Sequence, residues 1–173
     1  TAQFYGHGDT EGVRQTFRFK LWLAMVLTAC TIVLFLTAGP NLIQFYLNGE
    51  GEAADAAAIL SYGSQYLYVM LLGLPAFLVS QVYASTLREC GETVLPMKAG
   101  IVSVLVNLTF NYFLIYGKFF FPELGVTGAA IATVLSRYVE AAIIVTVTHR
   151  HSEKNAFAMG LYHTLKVPAD LCK

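Results

Sequence analysis

Apolar residues fill four long stretches of this sequence, and charge is confined almost entirely to the short segments between them. Residues 21–49, 56–87 and 99–117 contain no Asp, Glu, Lys or Arg, and residues 124–148 contain only Arg137 and Glu140. The apolar positions run right round each expected helical turn instead of marking one face, a pattern that suits helices surrounded by hydrocarbon. A helix needs about 20 apolar residues to cross a bilayer core. The pattern therefore predicts an all-α, polytopic transmembrane helix bundle with spans over residues 21–47, 59–87, 94–116 and 125–148.

The segments around the spans add detail. Residues 1–20 read as a polar lead-in with Arg14, Arg18 and Lys20, and Trp22 stands at the entrance of the first span. Gly39-Pro40 is expected to end or kink that helix, and Pro75 to kink the second. Tyr62, Tyr66 and Tyr68 suit an interfacial aromatic belt. Residues 88–93 read as a tight polar turn, residues 118–123 as a short loop around three Phe, and residues 149–173 as a polar connector.

Composition sharpens this picture. The 173-residue chain is 56% hydrophobic and 13% charged, against about 45–50% and about 25% in soluble domains. Its formal net charge is zero, so it lacks the basic footprint that binds nucleic acid. Cys30, Cys90 and Cys172 show no metal-ligand spacing, and their odd number argues against a disulfide framework. The sequence starts without Met and without a signal-peptide pattern, so the chain is expected to be part of a longer protein.

Loop charge orients the spans. Residues 1–20, 88–98 and 149–173 fall on one side and carry Arg14, Arg18, Lys20, Arg88, Lys98, Arg150, Lys154, Lys166 and Lys173. The opposite side carries Lys118. Positive residues stay inside, so both ends of the chain are expected in the cytoplasm.

Few residues in the spans can do chemistry. Arg137 and Glu140 share a helix face at spacing i,i+3. Ionisable groups at that depth are costly unless paired or wet. They read either as a structural ion pair or as groups for ion coupling or substrate passage. Asn107 and Asn111, four apart, should face into the bundle; their amides can bond a neighbouring helix or line a polar cavity and hold a cation through carbonyl oxygens. Gln81, Tyr83 and Thr133 allow the same two readings. Gly125, Gly128, Ala129, Ala132 and Ser136 repeat small residues at spacing four, which favours close helix packing. No HExxH, GxSxG, P-loop or dinucleotide fingerprint appears, so no enzyme is expected. His149 and His151 read as solvated histidines, and no resident metal or cofactor is implied.

Four strings carry a resemblance. Residues 88–97 (RECGETVLPM) resemble the R-x-x-G-x-T-x-x-P-M turn of the multidrug and toxic compound extrusion transporters. Residues 107–117 (NLTFNYFLIYG) look like the helix that follows that turn, and residues 122–137 (PELGVTGAAIATVLSR) are similar to the next loop and helix. Residues 2–6 (AQFYG) resemble the Q-x-x-G exit from the family's second helix. The resemblance implies a two-lobe, twelve-helix exporter in the cytoplasmic membrane. It would exchange Na+ or H+ for small organic, often cationic, compounds by alternating access. Residues 1–148 would then be part of the amino-terminal lobe, helices three to six, and residues 149–173 a cytoplasmic connector to the second lobe of the same chain. In one branch of the family a carboxylate stands where this sequence has Asn111. An amide does not titrate, so Asn111 carries no proton, but Asn107, Asn111 and Thr133 still offer oxygens to Na+. Glu140, the only acid in the spans, is a proton carrier if it leaves Arg137. The alternatives are a lipid-linked oligosaccharide flippase, whose cavity should be strongly cationic where these spans offer only Arg137, and a small non-transporting assembly protein.

Overall fold

The computed structural model describes residues 1–47, 53–117, 119 and 122–151. They form a short helix α1 (Ala2–Gly6) and four long ones, α2 (Thr10–Leu47), α3 (Ala53–Glu89), α4 (Val94–Tyr116) and α5 (Gly125–Arg150). Among the described residues, all four long helices are long and apolar enough to cross a membrane. The all-α bundle of four spans is thus what the hydropathy pattern requires.

Two sequence expectations need correction. The lead-in is helical: α2 begins at Thr10, ahead of the apolar stretch. Asp9 starts it by accepting a hydrogen bond from the Gly12 N–H at 2.9 Å, the bond an Asp N-cap makes to the third helical residue. Glu11 then pairs with Arg14 one turn on. Of the two effects expected of Gly39-Pro40, an end to the helix is overturned, since α2 continues to Leu47. Pro75 does lie inside a helix, α3. At the carboxyl end, His149 and Arg150 belong to α5; the rest of the expected connector, from residue 152, lies outside the described residues, as do residues 48–52 and Lys118.

At 38 residues, α2 is about 57 Å long at 1.5 Å per residue, well beyond a hydrocarbon core of about 30 Å. Its length therefore exceeds what one crossing requires. The helices pack in the order α2, α3, α5, α4, and the sequence neighbours α3 and α4 barely touch. Helices α3 and α5 run parallel, since Tyr138 bonds the Leu72 carbonyl and, further along both helices, the His149 ring meets Tyr83.

Close approach of α4 and α5 depends on Gly128, where a Cβ would stand 2.7 Å from the Leu114 carbonyl oxygen. The Leu124 N–H donates to the same carbonyl at 2.9 Å. Gly117 ends α4 in the left-handed conformation (φ 58°), which glycine adopts without a steric cost.

The tightest apolar packing lies at the Arg- and Lys-bearing end. Val13, Phe17, Tyr83, Leu87 and Ile144 are buried there, with Phe17 edge-on to Tyr83 at 4.8 Å. Lys20 bonds both carboxylate oxygens of Glu89 at 2.8 and 2.7 Å, tying α2 to α3. Elsewhere the apolar surface turns outward: Trp22, Val33, Leu72, Leu105 and Leu108 are all exposed. So much exposed apolar surface would be a liability in water; in hydrocarbon it is the expected surface.

Candidate functional site

Positions four apart fall on one face of a helix, and α4 puts Ser103, Asn107 and Asn111 on the face that meets α5. Ser103 is buried, and its hydroxyl donates to the Ser136 carbonyl at 3.0 Å. The Asn107 Nδ2 donates to Thr133 Oγ1 at 3.3 Å, and the Asn111 Nδ2 to Asn107 Oδ1 at 2.9 Å. Thr133 passes its own proton back to the Ala129 carbonyl at 3.0 Å, and Ser136 bonds the Thr133 carbonyl at 2.7 Å. The result is a directional chain of donors, Asn111 to Asn107 to Thr133 to Ala129.

One oxygen is left at its end. Asn111 Oδ1 is buried and, among the described residues, has no hydrogen-bond partner. An orphan acceptor costs about 1–3 kcal/mol. Asn107 Oδ1 and Thr133 Oγ1 each accept one bond and keep a lone pair. Three neutral oxygens therefore lie along the seam where α4 faces α5, and neutral oxygen is the donor type hard cations take.

A second feature adjoins this seam. Thr133 also lines a cleft of about 230 Å³ between α3 and α5, together with Val134, Arg137, Met70, Leu74 and Phe77. Arg137 Nη1 donates to Glu140 Oε2 at 3.1 Å, and its guanidinium carbon lies 5.1 Å from the centre of the Phe77 ring, within cation–π range. The two partners differ in exposure: the Arg137 side chain keeps 40%, the Glu140 side chain 11%.

The structure thus brings Asn107, Asn111, Thr133, Arg137 and Glu140 into one neighbourhood, with Thr133 as the shared member. Tyr83 stands apart, buried between Phe17 and His149 in the packed end. Gln81 is half-buried on α3. Ser103 and Phe77 were not legible as site residues, although signals existed. Ser103 continues the four-residue spacing of the asparagines, and Met70, Gly73, Leu74 and Phe77 have the i, i+3, i+4, i+7 spacing of one helix face. Among the described residues no three His, Cys, Asp or Glu gather to hold a metal ion.

Comparison with known proteins bears on these helices directly. The family model described as MatE matches residues 1–113. The chain belongs to the MatE family. Three curated relatives extend the likeness of this MatE chain past that limit. A probable multidrug resistance protein NorM of Thermotoga maritima is 36% identical over 152 residues, 88% of this chain and 31% of that protein. The multidrug resistance protein MdtK of Pectobacterium atrosepticum is 31% identical, covering 87% of this chain and 32% of its own length. A probable multidrug resistance protein NorM of Streptococcus pneumoniae is 32% identical over the same shares. The chain spans about a third of the length of these relatives. No solved structure matches it. Family and helices together make this MatE chain a multi-pass membrane protein.

Proposed function

We propose that the full-length protein is a cation-coupled exporter of small organic compounds, working by alternating access, and that this chain supplies part of its amino-terminal lobe. The names of the relatives support multidrug efflux. The observation that carries the coupling is the orphan Asn111 Oδ1 beside Asn107 Oδ1 and Thr133 Oγ1. The donor set is neutral and made of oxygen, so it favours Na+ over H+: none of the three groups titrates near neutral pH. Glu140 is left as the alternative proton carrier, and its ion pair with Arg137 opposes that role. A charged pair this deep is consistent with a wet pathway.

Orientation follows from charge. Arg14, Arg18 and Lys20 lie near the start of α2, Arg88 at the end of α3, Lys98 near the start of α4 and Arg150 at the end of α5. Antiparallel neighbours bring all of these to one end, placed in the cytoplasm by the positive-inside rule. The membrane would then be the cytoplasmic one.

The test uses the full-length protein in liposomes loaded with a cationic dye. An inward Na+ gradient should drive dye out, and Asn111→Ala should abolish that response while inserting normally. Unchanged gradient-driven efflux in the variant would sink the coupling role.

A further inference from the structure

We infer that the cleft between α3 and α5 is a subsite for a small aromatic carboxylate, held by the Arg137 guanidinium with its ring against Phe77. The inference rests on the exporter reading for its physiological meaning, and it names a substrate class opposite in charge to the organic cations the family resemblance suggests.

The charge shown to the cleft carries the argument. Arg137 lines the cleft and Glu140 does not. The acid is buried on the next turn, with only 11% of its side chain exposed. A guanidinium has five N–H donors in a planar fork. Among the described residues that of Arg137 makes one hydrogen bond, from Nη1 to Glu140. The pairing therefore neutralises Arg137 at long range and leaves donors for a second, bidentate acceptor. Phe77 holds the guanidinium from the α3 side at 5.1 Å. Such charge-assisted pairs are about twice as strong as neutral hydrogen bonds.

Shape narrows the ligand further. The walls contributed by Met70, Leu74 and Val134 are apolar, and Met adapts its shape to flat guests. Gly73 closes one side, since a Cβ there would come within 3.1 Å of Val134 Cγ2. A volume of about 230 Å³ lies below the roughly 300–1,000 Å³ of drug-sized sites. One ring or two fused rings bearing a carboxylate suit it better than a large polycyclic cation.

Equilibrium binding to the full-length protein in detergent tests this with three matched probes: 2-naphthoate, neutral 2-naphthamide and cationic 2-naphthylmethylammonium. The naphthoate should bind about tenfold more tightly than the amide, the scale of one charge-assisted contact, and the ammonium most weakly. Arg137→Gln should erase the preference. Because that change leaves Glu140 buried without its partner, Arg137→Gln with Glu140→Gln provides a second variant of nearly the same shape. Equal binding of naphthoate and amide, tighter binding of the ammonium, or an undiminished preference in the folded double variant overturns the inference. Dye efflux is read on the same preparations. Efflux without a naphthoate preference rejects the subsite and leaves the exporter; a naphthoate preference lost in the variants supports the subsite even if gradient-driven efflux is absent.

Discussion

Ser103 shows how a single hydroxyl ties two spans together, donating across the interface to the Ser136 carbonyl. Hydrogen bonds between membrane helices average about 0.6 kcal/mol, so Ser103→Ala should cost roughly that much in thermal unfolding of the detergent-solubilised protein. Asn107→Ala should cost more, because it removes both the bond to Thr133 and the acceptor of the Asn111 amide. Equal costs would show that the asparagines are not joined as described. At Arg137 and Glu140, exchanging the two residues keeps a pair on one helix face but moves the cation. A purely structural pair should keep some transport after the exchange, whereas loss of efflux with normal folding favours a direct role. The candidate residues were legible because amides and charges stand out in apolar spans. Phe77 and the contacts it makes were not, since one Phe among so many apolar neighbours carries no distinguishing mark. Cys90 is a further residue-scale case: burial, then the nearby Glu89 charge, push its thiol above the ordinary cysteine value. A raised pKa leaves less thiolate at neutral pH. Maleimide should therefore label Cys90 slowly near neutrality and faster as pH rises.

The helices themselves were set by composition, and their ends by local chemistry that composition hides. The apolar windows located all four spans, yet α2 starts at Thr10 because Asp9 caps it, and a polar first turn is as helical as an apolar one when capped and charge-paired. Two contacts between elements deserve tests of their own. Gly128 touches the Leu114 backbone too closely for any side chain, so Gly128→Leu should force α4 and α5 apart, with a sharp loss of folded protein measured by size-exclusion of detergent extracts. Full recovery of folded protein would show that the two helices do not meet there. Pro75 lacks the N–H that would bond the Leu71 carbonyl, and Tyr138 donates to the very next carbonyl, Leu72, at 3.0 Å. That hydroxyl steadies α3 where its own ladder is broken. Tyr138→Phe should raise amide exchange in residues 71–76 and leave α4 unchanged; unchanged exchange around Pro75 would remove the hydroxyl from this role.

Across the whole molecule, the order α2, α3, α5, α4 places the parallel pair α3 and α5 at the centre. Both the seam and the cleft are built on α5. No periodicity in the sequence announces which helices are neighbours, so the meeting of Asn107 with Thr133 and of Arg137 with Phe77 emerges only from the fold. The gathering of Arg14, Arg18, Lys20, Arg88, Lys98 and Arg150 toward one end, by contrast, was legible in the sequence, because it depends on where charges fall between spans and not on packing. The central claim is that the seam of Asn107, Asn111 and Thr133 is wet and takes a cation, instead of being dry packing. Water-soluble maleimide tests it in the full-length protein with every native cysteine, Cys30, Cys90 and Cys172 included, replaced by Ser. Single cysteines go in at Asn111, at Thr133 and, as a control, at Leu108 on the exposed apolar side of α4. The account predicts labelling at 111 and 133, slowed by Na+, and none at 108; seam positions as unreactive as Leu108 would contradict it.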